Sequence, residues 1–528
     1  MIINPYIYSV GTAYDPDAQL FFNAQTGAGV TLTTTQMNAV NQWVVDAKAA
    51  SIWTKFKAIY PMVGGTATSH KFNLKNPLDT DAAFRLSFIG GGTHSANGYL
   101  PNGINAYADS FLAPSTTLNL NSQHFSYYSR TNSNGTEVEI GCNNAGSVPY
   151  TLLEIRTAGN TYLSMASGTY TSFTDVNSLG LYIGNRTASN VIKLHKNASI
   201  VATGTTASTS NPATSIAIGA VNQGTTRQYY TTKECAFSTI GDGLTDLESQ
   251  LFYQITEKYQ VALSRNINTT QSFYYNSAYN NETNAFLFST QITDNTIQTA
   301  TNTLVTDLKT AGVFTKMKAL YPMVGGTATT CKFNLVNAQD SDAAYRLVFS
   351  GGGTFSANGY LPNGVNSFAN TFFAPSVNSS GINNFHSSYY SRTNVNLTQV
   401  DTGCGSSDLQ GTLLEIRTAN ITYIRINAAT TSSYADTDSL GFYLQSRLLG
   451  TQQKGYKNSL LKITGAVNSN VAPSQNYYIG AYNSNGIAFY PSTKQCAFAS
   501  IGDGLTDAEA LAFYNAVQLF NTTLARQV

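Results

Sequence analysis

Apolar and polar positions along the chain fall into two kinds of pattern. The commoner one is a short run that is alternating or briefly continuous in apolar residues. Examples are KFNL from Lys71, FRLSFI from Phe84, TLLEIRT from Thr151, SLGLYIG from Ser178 and TSIAIGA from Thr214, with Gly, Asn and Ser clusters between them. That spacing predicts the many short strands of an all-β sandwich. Helical periodicity is rarer. Trp43, Ala47 and Ala50 share one face behind TLTTTQ, whose threonines suit a helix N-terminus. Leu247, Leu251, Ile255 and Tyr259 make an i, i+4 stripe behind a Thr245/Glu248 capping-box pair.

The whole pattern occurs twice. YPMVGGTAT at Tyr60 recurs at Tyr321, SANGYLPNG at Ser95 at Ser356, YYSRTN at Tyr127 at Tyr389, and TLLEIRTA at Thr151 at Thr412. CAFSTIGDGLTD from Cys235 returns as CAFASIGDGLTD from Cys496. Leu304, Leu308 and Ala311 repeat the early helix face, and Thr506/Glu509 repeats the capping pair. A period this long is a duplicated domain rather than a solenoid unit. The expected organisation is an N-terminal extension or anchor (1–17), copy one (18–265), a linker (266–283) and copy two (284–528). Each copy reads as a large β-sandwich with a short early helix and a C-terminal helix.

Composition narrows the function classes. Of 528 residues only 11% are charged, and the net charge is +1. Polyanion binding by counterion release needs a concentrated basic surface, so no nucleic-acid partner is expected. No apolar run approaches the roughly 20 residues of a membrane span. The first basic residue is Lys48, so no Sec-type signal peptide is expected. The five cysteines (Cys142, Cys235, Cys331, Cys404 and Cys496) have no close spacing. They read as buried free thiols rather than as disulfides or a zinc site.

The many-stranded copies, the GDGLTD turn and the closing helix resemble concanavalin A-like, laminin-G-type jelly rolls. The segments WTKFKAIYPMVGGTA, DTDAAFRL, SANGYLPNG and YYSRTN resemble virion structural proteins of phages that infect gut Bacteroidetes and related bacteria. The resemblance implies a fibre or decoration protein of the virion, made in the bacterial host cytoplasm. It implies other virion proteins as partners and a homo-oligomer, with a trimer favoured.

Several residue sets carry candidate chemistry. The aromatic and planar polar groups of SANGYLPNG and YYSRTN suit a sugar's apolar face and its hydroxyls. They are Asn97, Tyr99, Asn102, Tyr127, Tyr128, Arg130 and Asn132 in copy one. In copy two they are Asn358, Tyr360, Asn363, Tyr389, Tyr390, Arg392 and Asn394. The competing reading makes the Asn-Gly pairs turn formers and the tyrosines core or subunit interface. Asp79 with Asp81, and Asp340 with Asp342, could supply part of a calcium site, an ion that laminin-G-type domains often carry. The alternative is an Asx-turn with Asp81 paired to Arg85. No other cofactor is expected. Glu137 and Glu139 alternate onto one face, as a glycosidase pair would. Copy two has Gln399 and Asp401 there, so the pair reads instead as a solvent-facing strand edge and no catalytic residue is assigned. His124 and His386 match between copies, whereas His70, His94 and His195 face Cys331, Phe355 and Tyr456. The matched pair reads as hydrogen-bonded histidine beside the Tyr-rich strand. The expected function is therefore a non-enzymatic virion protein that binds host-surface glycans. The alternatives are a purely architectural virion protein and, further off, a polysaccharide-degrading enzyme.

Overall fold

The computed structural model describes residues 14–528 apart from 146, 273, 408 and 409. Most of the expected N-terminal extension thus lies outside the described residues. The chain divides into two compact units, Met1–Ser277 and Ala278–Val528. Each is a β-sandwich of one 8-stranded and one 9-stranded sheet. Pairing is antiparallel except where Val221–Asn222 and Tyr482–Ser484 run parallel to Ile140–Asn144 and Thr402–Ser407.

In copy one the first sheet is centred on Gln123–Ser129, between Gly180–Ala188 and Cys235–Gly241. The second has Ile140–Asn144, Ser147–Thr157, Asn160–Ser167 and Thr171–Thr174 in succession. Phe125, Tyr127 and Tyr182 from the first sheet meet Leu153, Ile155, Leu163 and Met165 from the second in one dry core. Copy two repeats this with Phe385, Tyr389, Tyr443, Leu414, Ile416, Ile424 and Ile426.

The first sheet is covered on its other face by helices. Trp43 of helix Thr34–Ala49 lies 5.2 Å from Phe237, and Phe252 of helix Asp246–Ala262 lies 5.3 Å from Phe56. Both closing helices carry the capping box read from sequence. The single short early helix needs correction. Each copy opens with two helices, Pro16–Gly27 and Thr34–Ala49 in copy one, Asn281–Thr290 and Asn295–Thr310 in copy two. In Pro16–Gly27 the apolar side chains bunch at Leu20, Phe21 and Phe22, so no 3.6-residue stripe advertises it. KFNL is not a strand either. Asn73 replaces the ladder with its own side chain, accepting from the Ile59 amide and donating to the Lys57 and Ala83 carbonyls. Within TSIAIGA only Ala217–Ile218 is strand.

His124 and His386 take the hydrogen-bonded role expected of them. Nδ1 of His124 lies 2.5 Å from the Asp242 carbonyl and Nε2 3.1 Å from Thr239 Oγ1. A carbonyl only accepts, so Nδ1 carries the proton and Nε2 accepts from the hydroxyl. His386 does the same with the Asp503 carbonyl and Ser500. Burial pushes both imidazoles down to about 4. Between pH 6.5 and 4 the unfolded chain therefore binds protons that the folded chain refuses, and stability falls as pH falls. Each site accounts for on the order of 3 kcal/mol. Burial pushes Glu139 and Glu257 up to about 7, which acts with the opposite sign between pH 4.5 and 7. The expected result is thus a difference. His124→Gln with His386→Gln shrinks the drop in unfolding midpoint between pH 7 and 4.5, followed by circular dichroism. An undiminished drop contradicts this assignment.

Candidate functional site

The first sheet is covered on both faces, whereas the second sheet carries a cleft on its outer face. Alternation decides which residues stand there. Leu153 and Ile155 point into the core, so Leu152 and Glu154 point out. On the paired strand Leu163 and Met165 point in, and Tyr162 and Ser164 point out. Of these, Leu152 and Glu154 line a cleft of about 280 Å³, together with Glu137, Val138, Asn143, Tyr150, Tyr170, Val221, Gln223 and Tyr229.

Its floor is apolar, with Val138, Leu152 and Val221 buried and Tyr150 packed against them. Its wall is aromatic. Tyr150 and Tyr170 lie 6.1 Å apart at 31°, and Tyr162 meets Tyr170 edge-on at 6.0 Å. Tyr170 and Tyr229 are 40% and 49% exposed. Glu137, Glu154, Asn143 and Gln223 supply polar atoms, and among the described residues no Lys or Arg lines the cleft.

The two carboxylates sit in different surroundings. Burial raises Glu154, with the Tyr170 hydroxyl beside it pulling the other way. Burial also acts on Glu137, but the ammonium of Lys233 at 2.8 Å and the Thr232 hydroxyl and amide outweigh it and hold it below the usual range. Lys233 is wholly buried and also reaches Glu139 at 3.1 Å. Glu139 in turn accepts from the Ile155 amide and from Thr231. The expectation of a solvent-facing pair therefore fails. Both glutamates reach the buried lysine, Glu139 from the interior and Glu137 from the edge of the cleft. In copy two Lys494 stands 3.6 Å from Asp401, and Gln399 accepts from Thr493.

The glycan set expected from the shared motifs is not brought together at a surface. Tyr99, Tyr127 and Tyr128 are closed off from solvent, as are Tyr360, Tyr389 and Tyr390. Tyr127 donates to the Lys233 carbonyl and Tyr128 to Glu257. Tyr389 donates to the Lys494 carbonyl and Tyr390 to Gln518. Tyr99 stacks on His94, and Tyr360 on Phe355. These rings are core because the strands that carry them belong to the sheet that is covered on both faces.

The asparagines build turns. Asn102 Oδ1 accepts from the amides of Ile104, Asn105 and Ala106, and Asn363 does so from Val365, Asn366 and Ser367. Asn97 and Asn358 are exposed, each with its amide turned onto the preceding serine hydroxyl. Asn132 and Asn394 accept from Arg156 and Arg417. Arg130 joins Glu234 to the Arg265 carbonyl, and Arg392 joins Gln495 to the Arg526 carbonyl. The aspartates offered for calcium face cations instead: Asp79 meets Lys71 and Arg85, Asp81 meets Arg85, and Asp340 and Asp342 meet Lys332 and Arg346. Among the described residues no group of three or more His, Cys, Asp or Glu side chains is placed to hold a metal.

No protein-family model and no curated protein matches the chain. Parts of it overlay on solved structures. One is the NanB sialidase of Streptococcus pneumoniae (TM-score 0.23, 14% identity, 25% of this chain and 24% of that one). Another is the CBM40 of the Ruminococcus gnavus IT-sialidase bound to α2,6 sialyllactose (0.21, 16%, 25% and 81%). A third is domain 4 of AbnA, a GH43 extracellular arabinanase of Geobacillus stearothermophilus, in complex with arabinotriose (0.27, 13%, 38% and 98%). The chain spans about a quarter of the sialidase it overlays. At these scores the overlays are likenesses of a part and carry nothing about ligands.

Proposed function

We propose that the protein binds an uncharged saccharide in the copy-one cleft, as a binding protein without catalytic chemistry. The observation that carries this is the lining itself. Exposed tyrosine faces stand beside carboxylate and amide oxygens over a small apolar floor. Ring faces suit the apolar side of a sugar, and the convergent polar atoms suit its hydroxyls. The charge class follows from the electrostatics. With no cation in the lining, a sialic or uronic acid would bury its carboxylate against Glu137 and Glu154 without a partner. Glu137 already has its countercharge in Lys233, so the cleft does not call for a cationic ligand either.

The finer reading rests on the sequence motifs. It makes the protein a virion fibre or decoration component that displays this cleft to host-surface glycans, as a homo-oligomer, trimeric by preference, held by other virion proteins. A purely architectural reading has one observation in its favour: copy two exposes Leu448, Leu449, Leu460 and Leu461.

The test is a glycan array probed with the full chain at fixed salt, carrying neutral, sialylated and uronic-acid oligosaccharides and chitosan oligomers, with reducing ends followed in solution. Saturable hits confined to the neutral set, without release of new reducing ends, are expected. Hits on acidic or cationic glycans overturn the charge class, release of reducing ends overturns the non-enzymatic reading, and silence favours the architectural one.

A further inference from the structure

We infer that only the N-terminal copy binds, because copy two has closed the same face from within; this rests on the saccharide reading of the cleft. The pairing registers make the comparison residue by residue. Leu152 pairs with Ser164 in copy one, and Leu413 pairs with Arg425 in copy two. Val221 lies opposite Gly141, and Tyr482 opposite Gly403. Two small outward residues of copy one are thus an arginine and a tyrosine in copy two. Both point away from the core, yet they are only 3% and 2% exposed. Arg425 donates to the Tyr482 hydroxyl at 3.2 Å, with its guanidinium 5.9 Å from the ring.

The two central rings of the aromatic wall are gone as well, although Tyr423 and Tyr490 keep the places of Tyr162 and Tyr229. Tyr150 pairs with Ser167, and the register puts Gly411 there, opposite Ala428. A Cβ at Gly411 would stand 2.6 Å from the Tyr482 hydroxyl and 2.4 Å from the Cys404 carbonyl. The Cys404 carbonyl and the Tyr482 hydroxyl therefore leave no room at this position for a side chain in copy two. The counterpart of Tyr170 is Thr431. Glu415 keeps the place of Glu154, and burial raises its carboxyl too, with the Thr418 hydroxyl and the Lys494 and Arg425 charges pulling the other way. Duplication thus leaves one site per chain, and copy two keeps the scaffold without the cleft.

Two measurements on the full chain test this. Native mass spectrometry is run with cello-, malto-, xylo- and mannohexaose as probes. It should show one equivalent of the binding probe per chain, and none for Tyr150→Ala with Tyr170→Ala. Two equivalents, or one that survives that double substitution, overturn the inference. Hydroxyl-radical footprinting without saccharide should oxidise Tyr170 at least tenfold faster than Tyr482. Equal rates overturn the inference whatever the probes do. If the rates differ and no hexaose binds, the saccharide reading fails and the closure of copy two stands.

Discussion

Replacing Lys233 by Met destabilises copy one by about 3–5 kcal/mol, because it strips the partner from a fully buried carboxylate. That corresponds to a fall in unfolding midpoint of roughly 10 °C for a unit of this size. Glu139 has no exposure and no other cation, and its remaining support is the Ile155 amide and the Thr231 hydroxyl. The deficit carries a pH signature. Burial already pushes Glu139 up to about 7 with Lys233 pulling against it, so losing the lysine raises it further. An acid with a raised folded pKa binds more protons folded than unfolded, and stability is lost as pH rises from about 4.5 through the folded value. The Lys233→Met deficit is therefore larger at pH 8 than at pH 5. Adding Glu139→Gln recovers most of it at pH 8, since the uncompensated charge is gone. Calorimetry at the two pH values reads both effects. A deficit that ignores pH, or no rescue, contradicts a buried ion pair as the support beneath the cleft.

Tyr150→Ala with Tyr170→Ala weakens binding of the neutral glycan by at least about a hundredfold, since truncating a central aromatic anchor costs about 2 kcal/mol or more. Stability should change little in comparison, because Tyr170 is 40% exposed and Tyr150 only half-buried at the sheet surface. Titration calorimetry alongside thermal unfolding separates the two. A variant that folds normally and keeps its affinity places the ligand elsewhere.

The shared motifs make the fold legible but do not mark the cleft. YYSRTN, SANGYLPNG and DTDAAFRL are repeated because both copies need the same turns, core tyrosines and surface ion pairs. Asn102 and Asn363 close identical turns, and Tyr127 and Tyr389 donate to equivalent carbonyls. The closing helices were legible because their i, i+4 stripe and capping boxes are local. The cleft was not. Its residues come from strands and loops that only the sheet brings side by side, and Tyr150, Tyr170 and Tyr229 lie in no common motif. The sequence does hold a signal for it, in the places where the copies differ: Tyr150 against Gly411, Ser164 against Arg425, Tyr170 against Thr431, and Val221 against Tyr482. Glu137 and Glu139 alternate onto one face, but alternation alone does not say that this face meets the buried Lys233.

The most direct measurement is a crystal structure of the full chain soaked with the neutral oligosaccharide that binds best on the array. The account predicts sugar density over Tyr150 and Tyr170, with hydroxyls toward Glu154 and Gln223, and none at Arg425 and Tyr482. Density on copy two, or on any face other than this cleft, would contradict it.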